Sequence, residues 1–72
     1  MASKLTVFTL KRRLYTGDTF EPAFSFHAHS LGDANLKALA WARYQDISSN
    51  DVTVRLATPA EARNLLHDEF VS

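Results

Sequence analysis

Seventy-two residues make a single domain, residues 1–72, whose core supplies on the order of a few kcal/mol of net stability and encloses no large pocket, which disfavours an enzyme that engulfs its substrate. Eight Lys and Arg offset eight Asp and Glu, so the chain lacks both the basic excess of an operator-binding protein and the acidity of a DNA mimic. The absence of cysteine excludes disulfides, a thiolate nucleophile and a cysteine-based zinc knuckle.

Five Phe, two Tyr and one Trp carry most of the large burial surface, so the chain is expected to fold rather than stay disordered. Met1 to Leu5 lacks the apolar run of a signal peptide, and no segment reads as a membrane span. A soluble, cytoplasmic protein is expected, within a host cytoplasm if the chain is phage-encoded. Charge is unevenly spread, with six basic and three acidic side chains in residues 1–45 against two and five in residues 46–72. That split predicts a bipolar molecule.

Leu5 to Leu10 is rich in β-branched and aromatic residues and runs on through Lys11, Arg12, Arg13, Leu14 and Tyr15 to a turn candidate at Thr16-Gly17-Asp18; it reads as the first strand. Phe20 to Ala28 reads as the second. Alternation places Phe20, Phe24, Phe26 and Ala28 on one face, and Glu21, Ser25, His27 and His29 on the other. Pro22 has no amide to donate, so this strand is an edge there or begins after it.

Ser30 and Asp33 form a helix-start signature, and Ala34, Ala38, Trp41 and Ala42 recur at helical spacing. The alanines predict close seating on the sheet, with Trp41 in the core before any role as an interface anchor. Leu36, Leu39 and Ala40 fall on the opposite side, where something else has to cover them. After the polar stretch Asp46–Asp51, broken by Ile47, Val52 to Ala57 alternates and reads as the third strand. Thr58-Pro59-Ala60-Glu61 then opens a second helix with capping threonine, proline in the first turn and a glutamate to close the box. Its stripe of Ala62, Leu65, Leu66 and Phe70 is expected to meet the first helix or a partner.

The order ββαβα predicts an α+β domain: a three-stranded antiparallel sheet of order 2-1-3, with one face covered by helices and the other open.

Candidate chemistry is sparse. His27 and His29 have the spacing of two ligands on a strand, but no third is dictated, so alternating polar positions explain them without metal, and no cofactor is expected. Ser25 lacks the nucleophile elbow and glycine-rich oxyanion loop of a hydrolase, and Gly17 and Gly32 are too far apart for a phosphate loop. The chain therefore reads as a non-enzyme. Lys11, Arg12 and Arg13 beside Tyr15 suit phosphate contact with base stacking, yet strand alternation splits the triplet between two faces. Together with His27, His29 and Arg55 they are the candidate partner-binding residues, for a protein surface ahead of single-stranded nucleic acid.

In size and layout the whole chain resembles the small standalone proteins that bacteriophages turn against host machinery, including inhibitors of host RNA polymerase and anti-CRISPR proteins. That resemblance implies a protein-binding regulator of transcription docked on a host RNA polymerase subunit, with anti-CRISPR inhibition, single-strand nucleic-acid binding and an antitoxin-like dimer as alternatives.

Overall fold

A computed structural model of the protein describes residues 5–13 and 19–67. Three strands, β1 (Thr6–Arg13), β2 (Phe20–Ala28) and β3 (Val52–Leu56), form an antiparallel sheet of order β2-β1-β3, and two helices, α1 (Leu31–Tyr44) and α2 (Pro59–Asn64), complete the ββαβα order. A single 3₁₀ turn, Ser49–Asp51, precedes β3. The turn candidate Thr16-Gly17-Asp18, together with Leu14 and Tyr15, lies outside the described residues.

The core occupies one face of the sheet. Phe8, Leu10, Phe26 and Ala28 from the strands are buried against Ala34 and Ala38 of α1, with Phe24, Trp41, Val52 and Val54 packed around them. Alanine at every fourth position, continued by buried Ala42, removes the side-chain bulk that would hold the helix off the sheet. Trp41 is half-buried at the margin of this core, edge-on to Phe24 with ring centroids 5.2 Å apart.

The start of α1 is closed by the residues that the sequence marks, and its end by a closure that the sequence does not mark. Ser30 Oγ accepts from the Asp33 amide at 3.1 Å, and the Asp33 carboxylate accepts from the His29 amide at 3.0 Å. At the C-terminus the Ile47 amide donates to the Ala42 carbonyl at 2.8 Å and the Asp46 amide to that of Arg43 at 3.1 Å. This is a Schellman closure, with Asp46 in the left-handed region at φ 59° where glycine is the usual occupant.

The register of β1 with β2 shifts between Leu10 and Lys11: Leu10 pairs with Phe24 but Lys11 with Pro22, leaving Ala23 as an extra residue in β2. This bulge corrects the face assignment of the strand's start. Directly paired residues share a face, so Phe24, Phe26 and Ala28 belong with Leu10 and Phe8, whereas Phe20 goes with Arg13 to the far side and Glu21 goes with Arg12 to the α1 side. Pro22 sits on the outer edge of β2, where its missing amide interrupts no ladder.

Two further expectations need correction. The second helix ends at Asn64 rather than running on to Phe70, and the chain beyond it straightens to pair with β2. The Ser25 amide donates to the Leu65 carbonyl at 2.8 Å, and the His67 amide to the Ser25 carbonyl at 2.7 Å, a parallel bridge of Leu66 with Ser25. The open backbone edge of β2 offers these residues better hydrogen bonds than another helical turn would. Nor does the second sheet face stay open: α2 lies against β1 and β2 there, on the Thr9 side, away from α1. Phe70 lies outside the described residues.

Candidate interaction surface

On the α2 side, four polar side chains converge. Thr9 and Ser25, opposite each other in the ladder, are completely buried, with their hydroxyls 2.9 Å apart. Thr9 Oγ1 donates to Glu61 Oε1 at 2.9 Å. A carboxylate only accepts, so the threonine's one proton is committed to Glu61, and Ser25 must be the donor to Thr9. Glu61 Oε1 also accepts from the Thr58 amide at 3.0 Å, and Oε2 from Arg55 Nη2 at 2.6 Å.

One side chain thus closes the helix cap, neutralises an arginine and satisfies a buried hydroxyl pair. The Thr58 amide, with lesser help from Thr9 and Arg55, holds the Glu61 carboxyl below its ordinary range against the opposing effect of burial. Glu61 is legible in the sequence as the end of a capping box. Its reach to the sheet is not, because it depends on Thr9 and Ser25 falling opposite one another.

The basic candidates are dispersed. Arg13 lies 5.0 Å over the Phe20 ring, with Nε 3.8 Å from Asp51 Oδ1 and Nη2 3.4 Å from the Asn50 carbonyl. Arg55 is held by Glu61 and also donates through Nη1 to the Leu56 carbonyl at 2.8 Å. Lys11 and Arg12 form no ion pair among the described residues, and they point to opposite faces of the sheet, Arg12 across the ladder from Glu21. Tyr15 lies outside the described residues.

His27 and His29 do not form a pair of strand ligands either. His27 is half-buried in β2, and its carbonyl accepts from Lys37 Nζ at 3.4 Å. His29 is exposed beyond the strand end, with its amide engaged by Asp33. That amide, followed by Lys37 at 3.4 Å, keeps the Asp33 carboxyl below its ordinary range. Among the described residues no three His, Asp or Glu side chains are grouped to hold a metal ion, and no helix is long and apolar enough to cross a membrane.

What the surface does present is apolar. Leu36 and Leu39 on the outward side of α1 are 69% and 43% exposed, flanked by exposed Ala40 and Arg43. They lie three residues apart and so are neighbours on the helix surface. A second apolar area borders β3, where Phe8, Leu31, Val54, Arg55 and Leu56 line a groove between the edge strand and the start of α1. Compared with known protein families, curated proteins and solved structures, the chain has no match in any of the three.

Proposed function

We propose that the protein is a non-enzymatic binding module that docks a host protein through the outward side of α1, in the manner of a phage regulator acting on RNA polymerase in the host cytoplasm. The observation that carries this reading is the leucine pair: Leu36 and Leu39 expose most or much of their surface, while α2, the element that the sequence assigned to cover them, lies on the other side of the sheet. Clustered exposed apolar side chains favour association with another surface. Lys11 and Arg12, the basic side chains of β1 without ion pairs among the described residues, add electrostatic steering toward an acidic partner.

The test uses tagged protein in nuclease-treated bacterial lysate and then purified RNA polymerase. Stable co-elution with polymerase, lost in Leu36→Lys/Leu39→Lys but retained after nuclease, supports the proposal. Recovery of CRISPR effector subunits would transfer it to the anti-CRISPR alternative. Binding that is unaffected by the leucine substitutions, or that requires nucleic acid, would overturn it.

A further inference from the structure

The two edges of the sheet differ. The β2 edge is occupied at Ser25 by Leu65 and His67. On the opposite edge, the Ala57 amide donates to the Val7 carbonyl at 3.1 Å, which fixes the parity of β3: residues 53, 55 and 57 turn their backbone groups toward β1, and residues 52, 54 and 56 turn theirs outward. Arg55 Nη1 already caps the Leu56 carbonyl. Val52 and Val54 are left with both amide and carbonyl directed away from the sheet, and the strand's one charged side chain, Arg55, is held by Glu61 and the Leu56 carbonyl at the end of the strand away from Val52.

We propose that β3 pairs antiparallel with β3 of a second copy of this chain, about a two-fold axis through Thr53. Val52 then exchanges hydrogen bonds with Val54 of the partner subunit, and the symmetry repeats the pair. Charge and backbone geometry together favour this register. It brings Asp51, the last residue of the 3₁₀ turn and already 3.8 Å from Arg13, toward Arg55 of the partner subunit, twice, whereas an axis through Arg55 would oppose two arginines. An axis through Val54 would require the Leu56 carbonyl that Arg55 holds. An axis through Val52 would require Asn50 to be extended, but it lies in the 3₁₀ turn.

The axis runs perpendicular to the sheet, so both α1 helices stay on one face of a continuous six-stranded sheet. Leu31 and Leu56, 53% and 62% exposed in the single chain, come to the seam on that face. A chain of zero formal charge meets no long-range repulsion from its copy. None of this depends on what the outward leucines of α1 bind, and the edge variants below leave those leucines untouched.

Sedimentation equilibrium of the full chain tests the pairing. The mass is expected to rise with concentration from 8.1 kDa toward twice that value. Thr53→Lys, an exposed position that would place two like charges on the axis, should hold the protein monomeric with an unchanged melting temperature at dilution. In an antiparallel pair without mutual hydrogen bonds, Cα atoms on the axis are about 4.5 Å apart, within disulfide reach. Air oxidation should therefore cross-link Thr53→Cys into dimers and leave the exposed helix variant Asn35→Cys monomeric. A wild-type mass that stays at 8.1 kDa up to the solubility limit, a dimer that survives Thr53→Lys, or no selective cross-link in Thr53→Cys would each overturn the proposal.

Discussion

One sheet is held on its two faces by different physics. On the α1 face, Phe8, Leu10 and Phe26 are packed under an alanine-surfaced helix, and stability comes from area removed from water, with no directional requirement. On the α2 face the six-residue helix has no fully buried side chain, and its position comes from Glu61, Thr9, Ser25 and Arg55, whose partners and angles are specific. The first face makes the fold stable; the second decides where a short element goes.

That contrast is sharpest where substitutions should act differently on the two sides. Phe26→Ala, at a completely buried site, should cost about 3–5 kcal/mol, enough to leave the domain largely unfolded in a denaturant titration. Trp41→Ala should cost less, about 2–3 kcal/mol, because the indole is only half-buried. A loss as large as that of Phe26→Ala would place Trp41 within the core proper.

On the polar face, Glu61→Ala strands the Thr9–Ser25 hydroxyl pair and the Thr58 amide, and should cost about 1–3 kcal/mol. Hydrogen exchange should locate the loss, with the amides of Ser25, Leu65 and His67 exchanging faster while those of Phe8 and Leu10 shift only with global stability. Uniform acceleration would abolish the distinction between the two faces.

Acid should separate them as well. Glu61 is held below its ordinary range, so the unfolded chain binds its proton first as pH falls, and the stability that Glu61 contributes is complete above about pH 5 and is withdrawn as pH drops through the carboxyl range below about 4. A melting temperature followed from pH 6 to pH 3 should fall in the wild type and fall less in Glu61→Gln. Equal slopes would mean that other carboxylates dominate. The smallest effect is expected at the helix end: Asp46→Gly relieves a left-handed residue with a β-carbon and should stabilise by about 1 kcal/mol.

Strand alternation, the alanine repeat of α1 and both caps were legible in the sequence because each depends on residues close together in the chain. The sheet order followed from the sequence of elements. The bulge was not legible: Ala23 carries no mark of an unpaired residue, and the shift follows from the pairing of β1 with β2, yet it moves Phe20 across the sheet to stack under Arg13. The end of α2 was missed for a similar reason, since Leu65 and Leu66 continue a helical stripe and only the open backbone of Ser25 draws them out of it. Of the basic candidates, the sequence marks charge but not the distant acceptors at Asp51, Asn50 and Glu61.

The segment from Leu65 to His67 has a consequence for the life of the protein in a crowded cell. A small sheet with two free margins can grow at both, one molecule after another, into a fibril. Here the β2 margin is obstructed at Ser25 by the chain's own backbone, which leaves β3 as the readier site for strand addition, and growth there ends once that strand is matched. Removing everything after Asn64 should therefore turn a protein that stops at a defined particle into one that scatters light and binds an amyloid dye.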